Sequence, residues 1–166
     1  MATMRYALAA MAKRWTQLHE EIETHTQHLT TLTQAAAPEL VQAFGIGTDT
    51  AAEMLITFGE NAERVHSEAA FAKMCGVCPI PASWGKTQRH RLNRGGNRQA
   101  NAALFRVVIV RMRWHQPTQD YVARRTAQGL SKREIIRCLK RYVAREIYHL
   151  IRKTRSTSEV LDVSQA

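Results

Sequence analysis

The sequence predicts an all-α protein, with a long coiled-coil-like N-terminal helix followed by a compact helical domain. Two observations favour helices. Apolar residues recur at helical spacing over long segments, and the 166 residues include only four prolines and eight glycines, few for an all-β chain. An apolar content of 45% is typical of globular proteins, so a real core is expected. We predict a linker helix over 1–36, a helical domain over 37–153 and a disordered tail over 154–166.

The first predicted element is a helix with a heptad stripe. Three to four heptads predict a coiled coil or a long helix packed on a partner. Only His25, at a d position, interrupts the apolar series. A helix packed on its own domain is the alternative, but little else in residues 1–68 could cover so long a stripe. We therefore expect a homo-oligomer formed through residues 4–34. The apolar heptad residues are Leu8, Met11, Trp15, Leu18, Ile22, Leu29 and Leu32.

Residues 38–60 form the second element, PELVQAFGIGTDTAAEMLITFGE. This segment resembles a helix-hairpin-helix, in which a glycine turn joins two short helices. Gly45 can take the left-handed conformation that ends the first helix. Gly47 lets a ligand approach the backbone, and free N–H groups at the next helix start can hold a phosphate. An ordinary αα-hairpin, whose turn also needs glycine, is the alternative.

The remaining elements are predicted from helix caps and breakers. A capping box over Ser131–Glu134 opens the last helix, which carries a long apolar stripe. A two-proline segment over 77–81 is expected to be extended. The predicted helices span 68–75, 97–115, 118–128 and 131–153, and are opened by Ser67, Asn97, Thr118 and Ser131.

The charges are divided unevenly along the chain. Residues 1–68 carry a net charge of −5 and residues 69–153 a net charge of +16. From 69 to 119 there are nine Lys/Arg residues and no Asp or Glu. Such a stretch repels itself unless an anionic partner lies against it, and the simplest partner is a phosphate backbone. A solvated basic surface is the bland alternative. A membrane surface would want a continuous basic amphipathic helix, whereas the richest basic part here is a loop containing glycines.

The candidate DNA-binding residues lie in this basic loop and in the glycine turn. Cationic side chains would position the strand, glycine N–H groups would face a phosphate, and Trp84 could stack on a base. A plain hydrophobic role for Trp84 is the alternative. The candidates are Trp84, Lys86, Arg89, His90, Arg91, Arg94, Asn97 and Arg98 in the loop, and Gly45 and Gly47 in the turn.

Cysteine usage predicts a reducing compartment. The three cysteines are Cys75, Cys78 and Cys138, an odd and low number that argues against a disulfide framework. The lone Cys75-x-x-Cys78 lacks the second ligand pair that a zinc site needs, and His90 is its only nearby addition. No apolar run approaches the length that spans a bilayer. We expect a cytoplasmic, nucleoid-associated protein with no metal site of its own.

Three segments together resemble the C-terminal, serine-bearing domain of the IS110-type (IS116/IS110/IS902) insertion-sequence transposases. These segments are GIGTDTAAEML, then CGVCPIPAS followed by GKT and RHRLNRGGNRQANAAL, and lastly SKREIIRCLKRYVAREIYHL. They match in order, and the resemblance covers roughly 38–153. It implies DNA recombination, Mg²⁺ held by a RuvC-like domain, a guiding structured RNA in some members, and assembly as dimers or tetramers.

The chain departs from the family pattern in two ways. The acids of the RuvC-like half are missing, so Mg²⁺ is expected only with a RuvC-like partner domain. The family's serine stands in a small-residue segment just before a glycine, and here that segment reads Ala82-Ser83-Trp84-Gly85. If the nucleophile is the residue next to the glycine, this chain has Trp84 there and forms no phosphoserine link. If it is the earlier serine, Ser83 is the candidate catalytic residue; an ordinary loop serine is the alternative.

Three functions follow from this sequence. The first is a DNA-binding C-terminal part of a transposase, truncated and inactive in recombination by itself. The second is a partner that supplies Ser83 to a separate RuvC-like chain. The third is a non-enzymatic architectural or regulatory protein that dimerises through its N-terminal helix and binds DNA.

Overall fold

The computed structural model describes residues 2–59, 65–83, 90–91 and 93–164, with side chains described up to Thr154. It confirms the all-α fold and the long N-terminal helix, and adds one pair of two-residue strands. None of the described helices is apolar over a length that would cross a membrane. In chain order the elements are α1 (Ala2–Ala36), α2 (Pro38–Gln42), α3 (Thr48–Phe58), α4 (Glu68–Met74), β1 (Ile80–Pro81), β2 (His90–Arg91), α5 (Arg98–Trp114), α6 (Gln116–Ala127) and α7 (Lys132–Ser164).

Helix α1 projects from the domain with its apolar stripe exposed. Its 35 residues include one buried residue, Thr33, near the C-terminal end. There the helix meets the domain, where the hydroxyls of Thr30 and Thr48 lie 3.2 Å apart. Further out, Leu8 is 58% exposed and Trp15 67% exposed. The heptad stripe therefore has no cover within the described part of the chain.

The core lies between α3, α4, α5 and α7. Three aromatic rings meet at its centre. The ring centroids of Phe58 and Phe71 are 5.6 Å apart. The ring centroid of Tyr148 lies 6.1 Å from that of Phe58 and 6.3 Å from that of Phe71. Around them pack the inward faces of α5 and α7, which bury Leu104 and Ile147 completely. These rings pack α4 against α7. The residues that follow α4 lead directly into the predicted basic loop.

Two predicted helix starts are confirmed in atomic detail. The Ser67 hydroxyl accepts a hydrogen bond from Ala70 N at 3.2 Å. At the start of α7, Glu134 Oε2 accepts from Ser131 N at 2.9 Å, while the Ser131 hydroxyl accepts from Glu134 N at 3.4 Å. This reciprocal pattern is the expected capping box.

The predicted cap at Thr118 is wrong. Helix α6 begins two residues earlier, because Pro117 occupies its first turn, where a missing N–H costs nothing. Thr118 is instead buried, and its hydroxyl lies 2.9 Å from His115 Nδ1.

Two further segments have more regular structure than the sequence indicates. The sequence predicts a disordered tail over 154–166, whereas the α7 backbone stays helical to Ser164. Residues 77–81, expected to be merely extended, supply strand β1, which pairs antiparallel with β2.

Candidate nucleic-acid interface

Strands β1 and β2 pair within the segment that carries the predicted basic loop. Ile80 pairs with Arg91, and Pro81 pairs with His90. Ser83, two residues beyond β1, is exposed. Residues 84–89 and 92 lie outside the described part of the chain, so the predictions for Trp84, Lys86 and Arg89 are not addressed by the structure.

Four of the candidate DNA-binding residues are exposed and lie close together in sequence, and we call them the basic face. All four are exposed, and no Asp or Glu among the described residues lies within ion-pair distance of them. Charged side chains on a surface are usually interspersed with the opposite sign. The basic face therefore keeps its charge available to an external anion. Its members are His90, Arg91, Arg94 and Arg98.

Asn97, another candidate, is used by the fold. Its Oδ1 accepts hydrogen bonds from Gln99 N at 2.8 Å and Ala100 N at 3.3 Å, so it is the N-cap of α5 as predicted. Its Nδ2 donates to Thr57 Oγ1 at 3.3 Å. Its backbone N–H donates to Met74 O at 2.6 Å. Direct contact between this side chain and DNA stays a prediction.

Two glycines, Gly76 and Gly96, let the backbone before α5 pack directly against the end of α4. Both have positive φ, 66° at Gly76 and 91° at Gly96. A Cβ on Gly96 would lie 2.5 Å from Gly76 N and 2.6 Å from Met74 O. A side chain at either glycine is excluded by backbone atoms that cannot rotate away. The start of α5 is thus fixed against the core with no intervening side chain.

Sequence reasoning missed a buried pair behind the basic face. Lys140 lies in the basic run of α7, but it is only 8% exposed, and its Nζ donates to Asn101 Oδ1 at 2.8 Å. Asn101 Nδ2 in turn donates to Cys75 O at 3.0 Å and Gly76 O at 3.2 Å. One signal was present in the sequence. Asn101 shares the helix face of Leu104 and Val108, where a polar side chain needs an internal partner.

Lys140 is one of the residues that line an open surface pocket of about 360 Å³. The segment 93–98 forms one wall, and Asn101 and Phe105 of α5 complete it. Burial lowers the pKa of Lys140, and the nearby positive charge of Arg137 lowers it further. We call this cavity the Lys140 pocket.

The glycine turn between α2 and α3 presents its two glycines differently. Gly45 has the predicted positive φ, 79°, and packs against α5. A Cβ added to Gly45 would lie 3.4 Å from the Arg111 side chain. Gly47 is the N-cap of α3, and a Cβ there would meet nothing within 4 Å. Only the Gly47 side of the turn is open to a ligand.

Arg111 shows that one cation of the acid-free stretch serves the fold. Its two terminal nitrogens donate to Glu146 at 2.6 and 2.8 Å, and its Nε donates to Phe44 O at 2.8 Å. It thereby ties the glycine turn and α7 to α5. The charge offered to a ligand is smaller than the sequence count suggests, because Arg111 is 8% exposed and already paired.

The described residues contain no group of three or more His, Cys, Asp or Glu side chains arranged to hold a metal ion.

Comparison with known proteins places the chain in a family. The family model described as the IS116/IS110/IS902 transposase family matches residues 37–123, just over half of the chain. The chain is also similar to the insertion element IS110 uncharacterized 43.6 kDa protein of Streptomyces coelicolor (strain ATCC BAA-471 / A3(2) / M145), with 26% identity over 153 residues. That match covers 90% of this chain and 38% of the relative, so the chain spans well under half of the relative's length. The resemblance seen in the three sequence segments is thereby confirmed: the chain belongs to the IS116/IS110/IS902 family of transposases.

Proposed function

We propose that this chain binds DNA through the basic face, as the C-terminal part of a transposase. The observation that carries the proposal is the exposure of Arg91, Arg94 and Arg98, which have no Asp or Glu within ion-pair distance among the described residues. Phosphates are attracted by the cations and by the positive end of the helix dipole. The membership of the family supports a transposition-related role. The same affinity would hold the protein at the nucleoid.

A salt titration with two matched double variants tests this proposal. Arg91→Ala with Arg94→Ala removes two exposed cations from the basic face, and Lys13→Ala with Arg14→Ala removes two from α1. We expect log affinity for duplex DNA to fall steeply with log salt, by about 0.9 per phosphate neutralised. The first variant should reduce that slope by about 1.8, whereas the second should leave it unchanged. Equal effects would show that the basic face is not the site, and binding that ignores salt would remove the DNA proposal altogether.

We further propose that Ser83 is the nucleophile when a RuvC-like domain with its Mg²⁺ completes the site. Its exposure in the connection between β1 and β2 leaves its hydroxyl accessible to a strand. Attack by Oγ on phosphorus would form an O–P bond and break the bond between phosphorus and the bridging oxygen, and the proton of the serine hydroxyl would end on that leaving oxygen. Nearby cations such as Arg91 and Arg94 would stabilise the charge that develops on the phosphoryl oxygens. A structured guide RNA, as the family resemblance implies, would select the target.

The covalent adduct is the test of Ser83. With the RuvC-like partner and substrate DNA present, the wild-type chain should become covalently attached to DNA, and Ser83→Ala should abolish the attachment. Ser131→Ala serves as a control, because Ser131 is an exposed cap residue of α7. An adduct that survives Ser83→Ala would exclude Ser83 as the nucleophile.

A second candidate function is a non-enzymatic DNA-bridging dimer. The exposed heptad stripe of α1 favours it, because two copies of the helix could cover each other's apolar residues. Leu18→Glu with Ile22→Glu should convert a dimer to a monomer in sedimentation while leaving affinity of each domain for short DNA intact. A wild-type chain that is monomeric at micromolar concentration would contradict both the pairing and this second function.

A further inference from the structure

A buried cation without a counter-ion is the most unusual feature outside the basic face. Lysines are almost never this buried unless they are paired with an acid. Lys140 has one neutral partner, Asn101, and no carboxylate of the described residues lies within ion-pair distance of its Nζ. Taking a charge out of water without compensation is costly. The cost is removed if an anion from outside enters the pocket.

The walls of the Lys140 pocket suit a phosphate group. Arg94 and Arg98 lie at its rim and keep their charges exposed. The start of α5 faces the same cavity, which adds the favourable field of a helix N-terminus. The close approach of Gly96 to Gly76 packs the backbone of this wall directly against the end of α4. No described carboxylate lines the cavity.

The pocket also has an aromatic side chain. Phe105 lines it and remains 44% exposed, although it is large and apolar. Exposed aromatic rings beside cations are the platforms on which single-stranded nucleic acids stack their bases. A rigid duplex cannot place a base there, because its bases are stacked inside the helix.

We propose that the Lys140 pocket binds one unpaired nucleotide, with its phosphate on Lys140 and its base against Phe105. The inference rests on the proposed nucleic-acid function and narrows it to a site that distinguishes unpaired from paired strands. Lys140 binds the phosphate as a point charge, while Arg94 and Arg98 hold the flanking backbone. Asn101 keeps the ammonium directed, because its other amide atom is bound to the carbonyls of residues 75 and 76.

Fluorescence anisotropy tests the pocket: wild type and variants are titrated against labelled single-stranded oligothymidylate, oligouridylate and a mixed-sequence duplex, and unlabelled inorganic phosphate is then added as a competitor. Lys140→Met should weaken oligothymidylate binding about tenfold and lower the salt slope by about 0.7, the loss of one phosphate contact on a single strand. Phe105→Ala should weaken it about fivefold or more without changing the slope. Duplex affinity should change less than twofold in both. Equal losses with oligouridylate would support the site for a nucleotide of either sugar.

Matched controls come from the same helices. Lys132→Met removes an exposed lysine of α7 outside the pocket, and Trp114→Ala removes an exposed aromatic residue of α5 outside it. Both should leave oligothymidylate affinity within about twofold of wild type. In amide NMR spectra, the signals of Gly95 and Gly96 should shift when oligothymidylate is added to wild type and stay in place with Lys140→Met.

The outcomes separate this inference from the proposed function. Wild-type binding to single strands that neither Lys140→Met nor Phe105→Ala weakens would overturn the pocket, and the basic face would stand. A wild-type chain that binds neither single strand nor duplex would overturn both. If inorganic phosphate competes for the pocket and Phe105→Ala leaves oligothymidylate affinity unchanged, the pocket binds an anion without a base. That result would refute the proposed nucleotide site. If Lys140→Met fails to fold, Phe105→Ala decides, because it changes a partly exposed side chain.

Discussion

Removal of the carboxylate that holds Arg111 should expose an asymmetry in this ion pair. The Glu146 side chain is 39% exposed and the Arg111 side chain 10% exposed. Glu146→Ala therefore leaves the more buried charge without its carboxylate, and among the described residues the Phe44 carbonyl is the one hydrogen-bond acceptor that remains to Arg111. Breaking a fully buried pair costs about 3–5 kcal/mol. Discounted for the solvent that reaches Glu146, we expect a loss of about 2–3 kcal/mol in the free energy of unfolding.

The double variant is the decisive comparison. Arg111→Met with Glu146→Ala removes the buried charge together with its partner and keeps an apolar side chain in the same space. We expect the double variant to be no less stable than Glu146→Ala alone. Its loss in the free energy of unfolding should be smaller, by about 1–2 kcal/mol, than the sum of the losses of Arg111→Met and Glu146→Ala. Urea denaturation followed by far-UV circular dichroism measures this. In thermal unfolding the Glu146→Ala loss corresponds to roughly 4–12 °C. Additive losses, or a Glu146→Ala variant within about 0.5 kcal/mol of wild type, would refute the reasoning.

Three further predictions concern single positions. Gly96→Ala should destabilise the fold by more than about 2 kcal/mol in urea denaturation, because its Cβ meets backbone at 2.5 Å, whereas Gly47→Ala, with open space around it, should cost less than about 1 kcal/mol. Burial, with the charge of Glu53 adding to it, raises the pKa of Cys75 from 9.0 to about 12. As pH rises above 9, the thiol of the unfolded chain therefore loses its proton before that of the folded chain. Between pH 9 and about 12 the free energy of unfolding of the wild type should fall by about 1.4 kcal/mol per pH unit relative to that of Cys75→Ala. Ser131→Ala should cost about 1 kcal/mol through the lost cap of α7, and an unchanged melting temperature would contradict the capping role.

Local signals carried most of the fold. Caps such as Ser67 and Ser131 act through hydrogen bonds to residues three positions away, so the sequence alone contains both partners. The inward face of α5 follows from its periodicity, as the complete burial of Leu104 confirms. The predicted start of α6 is wrong, because it relies on Thr118 as the cap. Proline in a first turn is the stronger indication here, and Pro117 lies in the first turn of α6.

The candidate site was predictable only in part. The exposure of Arg91 and Arg94 follows from charge alone. The Lys140 pocket does not, because its residues are brought together by contacts between α4, α5 and α7 that lie 25 to 39 positions apart in sequence. A lysine inside a basic run reads as one more solvated charge. Only the packing of the helices shows that this one faces inward.

The length of α1 would act as a ruler between two DNA segments. Thirty-five residues at about 1.5 Å per residue make a rod of about 52 Å. Two copies paired in antiparallel register would hold their domains at opposite ends of that rod, a separation of about 15 base pairs at about 3.4 Å each. Two copies paired in parallel would hold their domains side by side. The spacing between two protected segments in a footprint would therefore reveal the direction in which the helices run.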